Sequence, residues 1–115
     1  MRNDKKNVIV EKTICFSLKI IKYTEALEQN RKFVIAKQLL RSATSIGANV
    51  FEAQNAESKA DFVHKMKIAA KEASETSYWL ILCEQSEGYH FDVQIRKDAD
   101  EIIRILSKII STSKS

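Results

Sequence analysis

The residues best suited to chemistry are three carboxylates, Glu52, Glu72 and Glu75, with two histidines and two cysteines elsewhere in the chain. Glu72 and Glu75 lie one helical turn apart, so a helix there sets them on one face. Three carboxylates could in principle hold a metal ion. Carboxylate-bridged metal bundles, however, use Glu-x-x-His pairs, and none of these three has a His three residues on. General acid–base work by Glu72 and Glu75 would need a pocket and a substrate group. His64 lies between Val63 and Lys65, and His90 in the run GYHF, neither beside an obvious Cys, Ser or Asp partner. The chain has no Gly-rich phosphate loop, no C-x-x-C and no H-E-x-x-H. The reading is no catalytic residue, no metal and no cofactor.

The other use of such carboxylates is structural. Ser42, Ser45, Asn49 and Glu52 follow one line on a second helix, and Lys65, Ile68, Glu72, Glu75, Trp79 and Leu82 one line on a third. Glu72 and Glu75 thus fall between apolar residues, where a charge needs a partner. Ser45, Asn49, Glu52, Glu72 and Glu75 are expected to form a polar network that fixes register. Asn49 or a serine is the favoured donor, with Arg41 and Lys71 as alternatives.

These groups need helices to position them, and the chain supplies four segments. It has no Pro and only two Gly in 115 residues, which favours long helices. The first segment, about 6–28, carries Ile9, Thr13, Phe16, Ile20, Tyr23 and Leu27 at spacings of four and three, one helical face. Val10, Ile14 and Ile21 widen it. The second, about 31–56, has Asn30 as a candidate N-cap and Leu39, Ala43, Ile46, Val50 and Ala53 as its stripe. Gly47 interrupts that helix and points to close approach by a neighbour. The third, about 59–87, opens on a Ser58–Asp61 capping pair and carries Phe62, Met66, Ala69, Ala73, Thr76, Leu80 and Cys83. It is expected to end against a left-handed Gly88. The fourth, about 93–110, carries Ile95, Ala99, Ile102, Leu106 and Ile109, and residues 111–115 read as a frayed tail. Joints this short fold each helix back on its predecessor, which predicts one all-α, up-down-up-down four-helix bundle over residues 1–115. Paired isoleucines such as Ile102 with Ile103 and Ile109 with Ile110 give faces wider than one core needs, which predicts a homo-oligomer.

No apolar run approaches the length that spans a bilayer, and residues 1–10 lack the run and cleavage site of a signal peptide. Cys15 and Cys83 read as two buried free thiols of a cytoplasmic protein. The net charge is +4, from 19 Lys and Arg against 15 Asp and Glu. Residues 1–32 hold eight basic groups and four acidic ones. Lys5, Lys12 and Lys19 repeat every seven residues and share a stripe. A mild excess of this kind permits contact with nucleic acid without demanding it.

The stretch Arg41–Leu80 carries more than periodicity. Arg41, Ser45, Ile46, Asn49 and Glu52 end one helix. Ser58 and Lys59 form the joint, and Phe62, Ala69, Glu72 and Glu75 run along an Ala-rich next helix. This pattern resembles the 23S rRNA-intervening sequence protein family, to which the accessory proteins of diversity-generating retroelements are related. Helices one and four agree in length and spacing rather than in motif. The resemblance implies a left-handed bundle and a homopentamer; most members have no established activity. The retroelement branch is basic and works with nucleic acid, whereas this chain is only mildly basic.

Two functional expectations follow. One is a non-enzymatic oligomeric module that binds RNA or DNA phosphates through Lys12, Lys19, Lys22, Arg31 and Lys32. The other is a protein–protein scaffold that docks a partner protein, for which an exposed apolar patch would be the sign.

Overall fold

The computed structural model describes the backbone of residues 4–114 and the side chains from Val8 onward. It holds four helices: α1 Asp4–Gln29, α2 Phe33–Ala53, α3 Lys59–Gln85 and α4 Val93–Lys114. Their joints are too short to let a helix do anything but reverse, and the molecule is 46 Å long and 19 Å across. Around the bundle α1 packs on α2, α2 on α3, α3 on α4 and α4 on α1, with no diagonal packing among the described residues.

The main apolar stripes read from the sequence point inward, but Ile14 and Ile21, expected to widen the α1 stripe, stay exposed. Ile9, Phe16, Ile20, Leu39, Ile46, Met66, Leu80, Ile102 and Leu106 are almost wholly buried. Ile103 and Ile110 lean against this core, so the width of α4 is taken up inside the bundle. Among the described residues the buried polar side chains are Thr13, Thr24, Ser42 and Thr76. The three threonine hydroxyls each donate to a carbonyl of their own helix, as Thr13 does to Ile9 at 2.9 Å and Thr24 to Ile20 at 2.8 Å. Ser42 and Thr76 also share a 2.9 Å hydrogen bond between α2 and α3. A buried hydroxyl left without a partner would destabilise the core, so these bonds are required rather than optional.

The helix ends differ from the sequence reading in instructive ways. Asn30 does not cap α2; it closes α1. Arg31 takes a left-handed conformation at φ 64°, the amide of Lys32 donates to Leu27 O at 2.8 Å, and the amide of Arg31 donates to Glu28 O at 2.9 Å. That pair of bonds is a Schellman ending with Arg where Gly is usual. Helix α2 therefore starts at Phe33 behind Lys32, which offers no side-chain cap. It ends at Ala53, and residues 54–56 continue as tight turns.

Ser58 caps α3 as expected, its Oγ accepting from the amide of Asp61 at 3.0 Å. Asp61 returns the bond to the amide of Glu57 at 3.2 Å rather than to Ser58. Gly88 is left-handed at φ 81°, but α3 has already ended at Gln85, so this glycine turns the 86–92 loop instead. Asp92 caps α4, accepting from the amide of Gln94 at 2.9 Å. Residues 111–114, expected to fray, continue α4.

Candidate functional site

Two polar seams and one apolar face are the candidates. The α2/α3 seam brings together most of the network expected from the sequence, but through a different donor. Arg41 reaches across to both Glu72, at 3.3 Å, and Glu75. Trp79 donates its indole N–H to Glu75 at 2.9 Å. The Trp79 and Arg41 hydrogen bonds together hold the Glu75 carboxyl below the usual range. Glu52 pairs with Lys65 at 3.2 Å. Asn49 does not join: its amide donates to Ser45 O, one turn back on its own helix, at 2.9 Å. The favoured donors, Asn49 and the serines, thus give way to the longer Arg41, because Glu72 and Glu75 sit at the rim of the interface and not inside it. Glu75 remains 37% exposed and Glu72 23%. The serine that does cross is Ser42, in the core.

The α1/α4 seam takes two of the lysines expected to contact phosphates. Lys12 pairs with Glu101 at 3.0 Å and Lys19 with Asp98 at 2.7 Å. Between these pairs lies an open groove of about 380 Å³, lined by Val8, Cys15 and Phe16 among others. Cys15 is exposed there, contrary to the expectation of two buried thiols; only Cys83 is buried. Cys15 lies one residue off the Ile9–Thr13–Phe16–Ile20 stripe, a rotation of about 100° from Phe16, and that turns it out of the core.

Of the other three basic residues, Lys22 borders a groove with Asp92. Lys32 places its ammonium 4.9 Å from the centre of the Tyr89 ring, a cation–π contact on the 86–92 loop. The five residues therefore do not form one free cationic face. Tyr23 ties the same loop down, donating to His90 O at 2.5 Å. Burial pushes its phenol, and the neighbouring Cys83 thiol, above their usual ranges, so neither is an acid or nucleophile near neutral pH.

The apolar face lies on α1 and α2. Ile14, Leu18 and Ile21 on α1, with Leu40 and Phe51 on α2, are exposed, Leu18 by 58% and Phe51 by 60%. The two helices run antiparallel with Gly47 against Thr13 and Ser17. That register sets Leu40 beside Ile21 and Phe51 about one turn from Ile14, which gathers the five on one side.

Among the described residues no three His, Cys, Asp or Glu side chains converge as metal ligands would. The chain does contain one Glu-x-x-His spacing, Glu87 with His90, but it falls in the loop after α3 and not on a helix. No described helix is long and apolar enough to cross a membrane.

Residues 5–108 match the family described as 23S rRNA-intervening sequence protein. The chain belongs to this family. A crystal structure of a protein of unknown function from the S23 ribosomal protein family of Bacteroides thetaiotaomicron is similar to it throughout. That protein is 44% identical over 93% of this chain and 98% of its own, with a TM-score of 0.88. No curated protein matches the chain.

In this member of the 23S rRNA-intervening sequence protein family, the acids that meet Lys12 and Lys19 escaped the sequence reading. Asp98 and Glu101 sit three apart on α4, the one available signal, but nothing in the sequence says which side of α4 turns toward α1. Asp98 gives the seam a pH dependence. Partial burial works to raise its carboxyl, yet the Lys19 and Gln94 hydrogen bonds outweigh this and hold it below the usual range. A depressed carboxyl contributes stability above its unfolded pKa of about 3.9, and the contribution is lost as pH falls through the lower folded value. Because Lys19 is half exposed, the contribution is at most about 1 kcal/mol. Asp98→Asn should therefore lower the denaturation midpoint slightly at pH 7, and the gap to wild type should close below pH ~4. A gap that stays constant down to pH ~2 would show that the ion pair contributes nothing.

Proposed function

We propose that this protein is a non-catalytic, self-associating four-helix bundle whose copies meet through the α1/α2 apolar face. The observation that carries this reading is the gathering of Ile14, Leu18, Ile21, Leu40 and Phe51 on one exposed side. Water-exposed apolar faces of this kind mark association surfaces, and burial stabilises by roughly 25 cal/mol per Å². In a closed ring each such face is covered by a second surface of the next copy, so none is left unpaired, and the family resemblance favours five copies. The absence of catalysis is supported by the separation of the two histidines and by the engagement of Glu75 with Trp79 and Arg41. Free Cys15 and Cys83 suit a reducing compartment such as the cytoplasm.

Sedimentation equilibrium at micromolar concentration tests the reading. Wild type should sediment as a multiple of 13.2 kDa, and a Leu18→Glu, Phe51→Glu double variant should sediment as the monomer with unchanged helical circular dichroism. A monomeric wild type would defeat self-association and leave the face for a different polypeptide, the scaffold reading. A double variant of wild-type mass would move the interface elsewhere.

A further inference from the structure

The excess positive charge is concentrated where two distant segments meet. Residues 62–71 and 102–114 contain Lys65, Lys67, Lys71, Arg104, Lys108 and Lys114 and no Asp or Glu. These six exceed the +4 of the entire chain. The topology sets the start of α3 beside the end of α4, so both segments share one end of the bundle. Lys65 is neutralised by Glu52. Among the described residues the other five pair with no carboxylate, in contrast to Lys12 and Lys19 on α1.

Lys67 and Lys114 line one open groove of about 560 Å³ with Val63, His64 and Ser113. Their ammonium groups come close enough that Lys114 holds the Lys67 amine below the usual lysine range. Two cations facing each other without an acid repel, and an anion between them relieves the repulsion. The charge then continues along α3. His64, Lys67, Lys71, Ser74 and Tyr78 recur at spacings of three and four and are all exposed. This stripe is about 21 Å long at the helical rise, too long for one small anion and suited to a chain of them. At its far end the Tyr78 ring is 54% exposed and braced edge-on by Trp79, 5.2 Å between centroids. Trp79 is itself held by Glu75.

We propose that this α3/α4 face binds single-stranded nucleic acid, with Lys67, Lys71 and Lys114 on successive phosphates and Tyr78 stacked on a base. A cationic groove with an aromatic platform is how sequence-tolerant single-strand sites are built. Lysines are point charges without a bidentate fork, so the contact positions a strand and does not read it. The site lies within one protomer and does not rest on self-association, although copies in a ring would multiply it.

The test is fluorescence anisotropy of a labelled mixed-sequence 20-nucleotide strand titrated with the full chain across a range of salt. Wild type should bind at low salt. Lys67→Gln, Lys71→Gln, Lys114→Gln together should lower affinity at least tenfold and flatten the log–log salt slope by about 2, three contacts at roughly 0.7 each. Tyr78→Ala should weaken binding about tenfold without changing the slope. Lys12→Gln, Lys19→Gln, Lys22→Gln should bind as wild type does. Circular dichroism confirms that each variant is folded. No binding by wild type at low salt overturns the proposal. So does an unchanged slope in the first triple variant, an equal loss in the second, or polyglutamate displacing the strand at equal charge, which would make the ligand an acidic peptide.

Discussion

Phe16→Ala is expected to remove about 3–5 kcal/mol of stability. Phe16 is 2% exposed, central on α1 and surrounded by core residues. Its truncation loses the transfer energy of the ring and leaves a void that long packed helices cannot collapse to fill. Domains of this size have only about 5–15 kcal/mol in total, so the variant should be close to unfolding at physiological temperature. The measurement is the denaturant midpoint at one fixed protein concentration, since association would otherwise shift it. The slope should be unchanged. A loss below about 1 kcal/mol would mean that α1 does not pack through this face.

Substitutions of Gly47 should split in sign. A methyl group there would meet Ser17 Oγ at 3.4 Å and Thr13 at 3.5 Å, which is ordinary contact. Gly47→Ala therefore gains helix propensity, about 1 kcal/mol, without a clash. Gly47→Leu carries three more carbons toward α1 and should cost about 1–3 kcal/mol through overpacking. Thermal midpoints of the two variants against wild type check both signs. If alanine also destabilises, Thr13 and Ser17 do not yield to one methyl group. The expectation that a neighbour approaches at this glycine is met, but the approach leaves room for one carbon.

How far the sequence could be read depends on what a helix makes periodic. The buried positions of α3, from Phe62 through Met66, Ala69, Ala73, Thr76 and Leu80 to Cys83, follow from spacing alone, because only one face of a helix can lie inside. The family was legible too, in Arg41–Leu80. The flanks were not. Lys12 and Lys19 share a stripe, and a stripe of lysines usually faces water; only the arrangement of helices in space brings Asp98 and Glu101 to meet them. The same gap hid Lys67 beside Lys114, forty-seven residues further on. Arg41 was read as one donor among several, yet its reach decides the α2/α3 seam. Helix ends were the least legible, since Arg31 adopts a left-handed conformation that its residue type gives no reason to expect.

The α1/α4 seam also has a kinetic meaning. Three of the four helix contacts join neighbours in sequence and close over short joints. The fourth joins Lys12 to Glu101 and Lys19 to Asp98, residues 89 and 79 positions apart. Its closure entropy is the largest in the molecule and is repaid only after α2 and α3 have paired. The ring of helices is therefore expected to close last between α1 and α4, where two ion pairs flank an open groove. Changes along this seam, such as Asp98→Asn, should then raise the unfolding rate and leave the folding rate nearly untouched, which the two arms of a denaturant chevron would show.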